Sequence, residues 1–358
     1  MRLAGNVGQR WRPAWVGWVG WLCALSLACA PGGAPSTRGQ AAPVPLICAG
    51  VTCAARGVRV YVEPDAGEAP ITQAIAGATR SIWVEVYLLS DRTVIRALED
   101  AAARGVDVRV LLELHPFGDG QVSAQRILEE LSAAGVRARA SSPAFTFTHE
   151  KALVVDGATA YILTSNLSRA GLGGSGTTAN REYGVIDTDA ADVADVREVF
   201  LADWERRVPA LRQARLVVSP VNARPELAAL MDGAARGLRL EDEEMLDARA
   251  EDRLIAAAHR GVDVRMVLPA PGTGAPDSAL DVARLMRGGV RVRNLTAPYM
   301  HAKLLLTDDR LAFVGSQNFS ATSLDSNREL GIVLADPAAF GTLSGTFEQD
   351  WALAVDAA

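Results

Sequence analysis

Two stretches of this chain share one pattern: residues 149–156 read HEKALVVD and residues 301–308 read HAKLLLTD. Both fit His-x-Lys followed by four residues and Asp. The residues after each Lys are β-formers, so each motif is predicted to lie on a strand, where its His and Lys project from the same face. Lysine occurs nowhere else in the chain, whose 36 basic residues are otherwise Arg. Placing both lysines two residues after a His indicates a chemical role for these positions.

The two motifs belong to a longer internal duplication. The sequence GVDVR at 105–109 recurs at 261–265, and NRE at 180–182 recurs at 327–329. Strands alternate with helices in both halves, which is typical of an α/β layer architecture. A repeat of this length predicts two similar domains related by a pseudo-twofold axis, each with a β-sheet flanked by helices.

We expect the first domain over residues 57–205 and the second over residues 206–358. Within the first domain, Asp91 is predicted to be the N-cap of a helix that Gly105 ends. The Val-rich run Val106–Leu112 then predicts a buried strand.

The start of the chain predicts an export signal. Three Arg residues lie within the first 12 positions, and the apolar stretch that follows, from Pro13 to Ala28, is shorter than the roughly 20 apolar residues of a membrane span. Cys29 after small residues resembles the lipidated Cys of a bacterial lipoprotein. We therefore expect a signal peptide over 1–28, a tether over 29–56 and an exported envelope protein anchored through Cys29. The alternatives are secretion after cleavage nearby and an anchor that is not cleaved. In an exported chain, Cys48 and Cys53 are expected to form a disulfide.

The paired His and Lys residues suit the cleavage of a phosphodiester. This reaction needs an attacking group, a proton for the leaving oxygen and positive charge around the phosphoryl oxygens. One neutral imidazole can attack phosphorus, and the other, protonated, can donate to the leaving oxygen. Lys151 and Lys303, with the amides of Asn166 and Asn318 on the following strands, can hold the charged oxygens. This scheme requires no metal and no other cofactor.

The paired motifs, each followed by a Ser/Thr-x-Asn element, resemble the phospholipase D superfamily over about residues 57–355. The resemblance implies a mixed-sheet α/β fold with one shared active site, in which His149 is the nucleophile and His301 the general acid. It implies that Glu182 and Glu329 orient the histidines. Phosphate is expected to be bound by the lysines and by Asn166, Asn318, Thr164 and Ser316.

Three acidic features of the sequence each have two interpretations. Asp156 and Asp308 complete the catalytic motifs, but their odd spacing from the His and their turn-like neighbours favour a structural brace. The acidic run 241–244 continues a strand and is expected to be partly a solvated loop, although Glu241 matches Glu85 of the first half and could face the site.

The first functional hypothesis is a phospholipase D-like phosphodiesterase that hydrolyses or transphosphatidylates phospholipid through a phosphohistidine. The alternatives are a cardiolipin synthase-type phosphatidyltransferase, an exported nuclease and an inactive binding protein on the same fold. The net charge of −6 and the absence of other lysines disfavour nucleic acid as a partner. The intact motifs disfavour the inactive protein. The expected partners are the phospholipid and a membrane reached through the lipid anchor, and no protein partner is predicted.

Overall fold

The computed structural model describes four stretches of one compact unit of the chain: residues 47–48, 50–117, 123–174 and 179–357. The expected signal over residues 1–28, the expected lipidation site Cys29 and most of the expected tether lie outside these residues. Among the described residues, no helix combines the length and the apolar character needed to cross a bilayer.

The first sheet is built mainly from the first half of the chain. Its strands there are β1 (Arg59–Glu63), β2 (Ser81–Val86), β3 (Asp107–Leu112), β4 (Arg137–Ala140), β5 (Lys151–Val155), β6 (Thr159–Leu163) and β7 (Asn180–Asp187). The order across the sheet is β1-β7-β6-β5-β2-β3-β4, and only β2, β3 and β4 pair in parallel within this set. The helices of this half are α1 (Ala69–Gly77), α2 (Arg92–Ala103), α3 (Ala124–Ala133) and α4 (Ala190–Glu205).

The second half builds a second mixed sheet. Its strands are β8 (Leu216–Ser219), β9 (Gly237–Glu241), β11 (Asp263–Pro269), β12 (Arg291–Leu295), β14 (Leu304–Thr307), β15 (Leu311–Gly315), β17 (Glu329–Leu334) and β18 (Val355–Asp356). Three short strands accompany it: β10 (Met245–Leu246), β13 (Tyr299–Met300) and β16 (Phe319–Ser320). The helices are α5 (Ala223–Asp232), α6 (Ala248–His259), α7 (Ala279–Arg287), α8 (Ala321–Asp325) and α9 (Pro337–Leu353).

The two sheets repeat one topology. The order in the second sheet is β18-β12-β11-β9-β14-β15-β17-β8, which matches the first sheet strand for strand apart from β18. This confirms the expected α/β class with two similar mixed sheets flanked by helices. The two sheets are not wholly separate, because the short strand β13 of the second half pairs with β7 of the first sheet. The proposed boundary between residues 205 and 206 stays a prediction.

The local signals in the sequence act as expected. The Asp91 carboxylate accepts hydrogen bonds from the backbone N–H groups of Thr93 and Val94 at the start of α2. Gly105 follows this helix with φ 87°, a conformation that costs glycine little. Burial of an apolar face that includes Ile95 and Leu98 holds α2 on the sheet, and each such side chain contributes about 1.5–3 kcal/mol.

Apolar side chains fill three layers. Helices α1, α2 and α3 cover one face of the first sheet, and α5, α6 and α7 cover one face of the second. The central layer lies between the two sheets and includes α4 and α9. Each His-x-Lys motif lies at the start of a central strand, either β5 or β14, so its Lys is carried into the interior.

The disulfide between Cys48 and Cys53 is present, which confirms that prediction. The backbone N–H of Cys48 also donates to both carboxylate oxygens of Glu226 on α5, at 2.9 and 2.8 Å. The end of the expected tether is therefore fastened to the second half of the chain.

Candidate active site

Each His-x-Lys motif is met by a strand from the other half of the chain. Thr148 forms a parallel bridge with Arg328, and the N–H of His149 donates to the Arg328 carbonyl at 2.8 Å. In the second motif, β13 runs into His301 and pairs with Asn180 and Arg181 of β7. The backbone thus brings each Asn-Arg-Glu sequence beside the histidine of the opposite half.

The carboxylate of Glu329 holds His149. Nδ1 of His149 lies 3.1 and 2.9 Å from the two oxygens of Glu329, which is fully buried. Oε1 of Glu329 also accepts from Ser323 Oγ at 2.6 Å and from Asn327 Nδ2 at 3.1 Å. Because the carboxylate is held on several sides, it fixes the orientation of the imidazole and leaves Nε2 as the reactive nitrogen.

Glu182 occupies the same position at His301. Its Oε1 lies 2.6 Å from Nδ1 of His301, at an angle too bent for a hydrogen bond. Oε2 of Glu182 accepts from Thr164 Oγ1 at 2.6 Å, and its Oε1 accepts from Asn180 Nδ2 at 3.1 Å. Both glutamates expected to orient the histidines therefore contact them, and each reaches across to the other half of the chain.

The phosphate contacts expected of Thr164 and Ser316 do not fit the structure. Thr164 is fully buried, donates to Glu182 and accepts from the N–H of Tyr183 at 2.8 Å. Ser316 is fully buried, accepts from the N–H of Leu330 and bonds to Glu329. Their hydroxyl groups are engaged in holding the two orienting carboxylates.

The two lysines are buried beside the histidines. Nζ of Lys151 donates to the His149 carbonyl at 2.6 Å, and Nζ of Lys303 donates to the His301 carbonyl at 2.5 Å. Burial and, to a smaller extent, the charge of Lys303 lower the pKa of Lys151 to about 7, against the attraction of the Glu329 carboxylate. Charges from both halves therefore act on one another within a single site.

The imidazole of His149 is held in its neutral form at pH 7. Burial and the positive charge of Lys151 oppose protonation, and they outweigh Glu329 to lower the pKa of His149 to about 4. The ring of Tyr87 lies edge-on against this imidazole, with 4.6 Å between ring centroids. A neutral imidazole has a lone pair free for attack.

The surroundings of His301 differ, because Glu243 provides a second carboxylate. Oε2 of Glu243 lies 3.3 Å from Nε2 of His301 and 3.5 Å from Nζ of Lys303, and the Tyr299 hydroxyl donates to Oε1 at 2.9 Å. Burial raises the pKa of Glu243, but the His301 and Lys303 charges outweigh it and lower the pKa to about 2. His301 thus has a carboxylate at each ring nitrogen, Glu182 at Nδ1 and Glu243 at Nε2.

Glu243 lies in the acidic run 241–244, which was expected to be partly a solvated loop, and Glu243 and Glu244 do lie partly exposed in the loop that follows β9. Glu241 and Asp242 are fully buried, and the Glu243 side chain is 20% exposed. A signal was present in the duplication, because Glu243 stands 156 residues after Tyr87, the spacing that relates Glu241 to Glu85.

The two amides near the site have free oxygens. Oδ1 of Asn166 and Oδ1 of Asn318 are buried without a hydrogen-bond partner among the described residues. Each amide can therefore turn either end toward a ligand. Their role in binding phosphate stays a prediction.

Comparison with known proteins identifies the family. The family description "Cardiolipin synthase, PLD-like domain" matches residues 71–204 and 227–351, which make up most of the chain. The chain belongs to the phospholipase D superfamily. It is therefore an enzyme of the class that acts on phosphodiesters.

Curated members of the superfamily resemble the chain over most of its length. Cardiolipin synthase A of Pseudomonas fluorescens is 26% identical over 340 residues, which cover 83% of this chain and 69% of that protein. Cardiolipin synthase B of Salmonella typhi is 28% identical over 310 residues, which cover 74% of this chain and 73% of that protein.

Two solved structures share the fold. Polyphosphate kinase from Porphyromonas gingivalis has a TM-score of 0.67 at 17% identity. The match covers 90% of this chain but only 53% of the kinase. Phosphatidylserine synthase from Haemophilus influenzae has a TM-score of 0.62 at 14% identity, with 88% of this chain and 90% of that chain covered. At these identities the likeness concerns the fold alone.

The aspartates of the two superfamily motifs lie away from the histidines and brace the backbone. Asp156 accepts from the N–H groups of residues 79, 80 and 81, and Asp308 accepts from those of residues 235, 236 and 237. Both adopt φ 54° in a turn. These bonds lower the pKa of Asp156 to about 2, although partial burial opposes the shift. Their inclusion among the catalytic residues is wrong, and the brace suggested by the spacing fits.

A second pair of contacts, not anticipated from the sequence, holds the halves together. Arg181 forms a two-point ion pair with Asp350 on α9, with N–O distances of 2.6 and 2.9 Å, and Arg328 forms the same pair with Asp203 on α4. All four side chains are buried. The sequence does carry a sign that these aspartates are equivalent. Asp203 and Asp350 are each followed by Trp, and they are 147 residues apart, which is the spacing of the Asn-Arg-Glu repeat.

Among the described residues, one carboxylate group is compact enough to consider as a metal site. Oxygens of Glu85, Glu150 and Asp203 lie within 4.8 Å of one another in the interior. Arg328 already pairs with Asp203. Burial raises the pKa of Glu85 well above its usual value and that of Glu150 to about 8, with the neighbouring Asp203 charge adding to both. A proton on one of these carboxylates would relieve their mutual repulsion.

Proposed function

We propose that the protein is a phosphatidyltransferase of the cardiolipin synthase type, which moves a phosphatidyl group between alcohols through a phosphohistidine. One observation carries the proposal: two histidines are held by carboxylates of opposite halves, and their surroundings differ, because Glu329 meets Nδ1 of His149 whereas His301 has a carboxylate at each ring nitrogen. The names of the curated relatives support transfer to an alcohol as the reaction.

In the first step, Nε2 of neutral His149 attacks the phosphorus of the lipid. The bond from phosphorus to the headgroup oxygen breaks, and His301 gives its Nε2 proton to that oxygen. The imidazole of His149 becomes cationic in this step, and the carboxylate of Glu329 at Nδ1 stabilises the new charge.

In the second step, an acceptor alcohol attacks the phosphohistidine. Its hydroxyl proton passes to His301, and the bond between phosphorus and Nε2 of His149 breaks. Lys151 and Lys303 offset the charge on the phosphoryl oxygens during both steps. The site returns to its starting protonation state, so one turnover needs no cofactor.

Hydrolysis of phospholipid, the first hypothesis from the sequence, is the second candidate. Water would replace the alcohol in the second step with the same residues. The curated relatives favour transfer, and hydrolysis is therefore placed second. Export and attachment through Cys29 would bring either activity to its lipid, and both stay predictions.

Product analysis separates the two candidates. Purified protein is incubated with phosphatidylglycerol in mixed micelles, and lipids are identified by mass spectrometry. We expect cardiolipin and glycerol, and with ethanol present we expect phosphatidylethanol. Phosphatidic acid alone, with ethanol present, would favour the hydrolase. Cleavage of single-stranded DNA without lipid turnover would contradict both.

The pH dependence of kcat/KM follows from two residues of the site. Attack needs neutral His149, so activity should rise with pH through about 4, the pKa of this imidazole. Phosphate binding needs charged Lys151, so activity should fall as pH rises through about 7, the pKa of this ammonium. The measurement is kcat/KM for bis(p-nitrophenyl) phosphate across this range. Lys151→Arg, with folding checked by circular dichroism, should lose the alkaline limb, since Arg stays charged. An unchanged alkaline limb in this variant would contradict the assignment.

A further inference from the structure

Arginines and aromatic rings pack together where β2, β3 and β4 meet the second half of α4. Trp83 of β2 stacks on Phe200 with 5.3 Å between ring centroids, and Phe200 stacks on Trp204 at 5.7 Å. The guanidinium carbon of Arg139 on β4 lies 3.8 Å from the centre of the Trp204 ring. That of Arg109 on β3 lies 4.7 Å from the Trp83 ring and 5.6 Å from the Trp204 ring. The rings thus hold two cationic groups on neighbouring strands.

Two arginines from α4 and its end add to this charge. The guanidinium carbon of Arg197 lies 5.2 Å from the centre of the Trp83 ring, and Arg206 directly follows α4 and is exposed. The side chains of Arg139, Arg197 and Arg206 form no hydrogen bond and no ion pair with any residue that the structure describes. Arg109, Arg139, Arg197 and Arg206 are referred to below as the arginine cluster.

Arg139 lies among positive charges. Burial and, to a smaller extent, the charges of Arg206 and Arg109 lower the pKa of Arg139 below its usual value. Nη2 of Arg139 is buried without a hydrogen-bond partner among the described residues, while the residue as a whole is partly exposed. The Asp107 carboxylate is near but pairs with Arg109 and with Arg137. Because like charges repel, an anion placed against the exposed side of the cluster would stabilise it.

The second half contains the same framework with its charges paired. Arg265 and Arg293 lie over the ring of Trp351 on α9, with 5.5 and 4.6 Å from the guanidinium carbons to the ring centre. Arg265 forms a two-point ion pair with Glu348, with both N–O distances 2.8 Å. Arg293 pairs with Asp356 at 2.8 Å. Each of these two arginines therefore has a carboxylate of its own half.

The first half differs at the equivalent positions. Leu201 stands in the place of Glu348, and Arg206 in the place of Leu353, at the repeat spacing of 147 residues. A carboxylate is thus exchanged for an apolar side chain, and an apolar side chain for a cation. Because the second half folds the same framework with its charges paired, the fold does not require the unpaired charges of the first half. They indicate a ligand that brings negative charge.

We propose that the arginine cluster is a phosphate-binding site outside the active site. Arg139 and Arg206 donate hydrogen bonds to the phosphate oxygens, and Arg109 and Arg197 contribute charge from the aromatic stack. A phosphate group suits the cluster because it offers several acceptor oxygens and up to two negative charges to guanidinium groups. It can belong to the headgroup of an anionic phospholipid or to a soluble phosphate. The inference goes beyond the proposed function, since it concerns binding and not the transfer reaction.

Calorimetric titration with inorganic phosphate tests the soluble ligand. The full chain should bind phosphate at the cluster in addition to the catalytic site. Arg139→Gln should weaken binding at the cluster by about tenfold or more, because a charged hydrogen-bond donor is lost. Arg293→Gln makes the same exchange at the equivalent position of the second half. It is the matched control and should leave both affinities unchanged.

Sedimentation with vesicles tests the lipid headgroup. All proteins in this experiment are full chains with His149→Ala, so that lipid is not consumed and the N-terminal part is the same in each. Vesicles of phosphatidylcholine are compared with vesicles that also contain phosphatidylglycerol. The anionic lipid should increase the bound fraction, and Arg139→Gln should reduce this increase about fivefold. Arg293→Gln should not reduce it.

Leu201→Glu gives the first half the carboxylate of the second. The new side chain should pair with Arg109, as Glu348 pairs with Arg265, and weaken phosphate binding at the cluster about tenfold. Leu201→Gln has nearly the same size without the charge and should bind phosphate about as well as the unchanged chain. Circular dichroism and the melting temperature check that each variant is folded.

The outcomes separate the two sources of phosphate. Binding of inorganic phosphate without recruitment to the anionic vesicles identifies a soluble phosphate as the ligand, and the reverse result identifies the lipid headgroup. The proposal is overturned if neither binds at the cluster, or if Arg139→Gln and Arg293→Gln behave alike in both experiments. A chain that shows the expected binding but transfers no phosphatidyl group would contradict the proposed function alone.

Discussion

His149→Ala releases no p-nitrophenol from bis(p-nitrophenyl) phosphate, whereas His301→Ala releases about one equivalent per active site and then nearly stops. This is the expected result if the two histidines have the roles assigned above. Without His149 no phosphoenzyme forms, and turnover falls by about 10⁴-fold or more. Without His301 the first step still proceeds, because p-nitrophenolate leaves without a proton. The second step then fails, because no base activates the acceptor.

Rapid-quench measurement of the burst, with mass spectrometry of the labelled peptide, checks this result. The adduct in His301→Ala should map to His149. His259→Ala alters an exposed histidine at the end of α6 and should keep wild-type turnover. A burst in His149→Ala together with none in His301→Ala would mean that the two roles are reversed.

Glu329→Gln should slow the burst by about 10²- to 10⁴-fold, because the carboxylate both orients His149 and offsets the charge that forms on it during attack. The change is nearly isosteric, so KM should stay within about threefold of the wild-type value. Glu182→Gln should leave the amplitude and rate of the burst close to those of the wild type and slow the turnover that follows.

The two glutamate variants control for each other, because both remove one buried charge from equivalent positions. If each glutamate served the histidine of its own half, Glu182→Gln would slow the burst and Glu329→Gln would not. That outcome would contradict the crossed contacts between Glu329 and His149 and between Glu182 and His301. A double variant with His149→Ala should lose no more activity than His149→Ala alone, since the two residues act as a unit.

Much of the fold could be predicted because its signals are local. The Asp91 cap, the Gly105 stop and the apolar runs act over a few residues, and the duplication showed that the pattern occurs twice. Pairing between the halves could not be predicted in this way. The bridge from Thr148 to Arg328 joins residues far apart in the chain, and the identity of neither residue specifies its partner.

The role of a site residue could be predicted where the residue type alone indicates its chemistry. It could not be predicted where the role depends on which side chain the residue contacts in the folded protein. The histidines and lysines stood out by their spacing and rarity. Thr164 resembles a phosphate ligand until its bond to Glu182 is seen. Glu243 resembled a solvated residue, because a buried carboxylate is unfavourable unless cations such as Lys303 accompany it, and that neighbour comes from tertiary structure.

The crossed contacts also bear on how such an enzyme could diversify. A single half would have its histidine beside an empty position, so it could work only as a pair of identical copies. Identical copies must present the same residue on both sides of the cleft. Two halves joined in one polypeptide are free of that constraint, and the different residues at the equivalent positions Tyr87 and Glu243 show it. The surroundings of the two histidines can therefore differ permanently, so that one is suited to attack and the other to proton exchange.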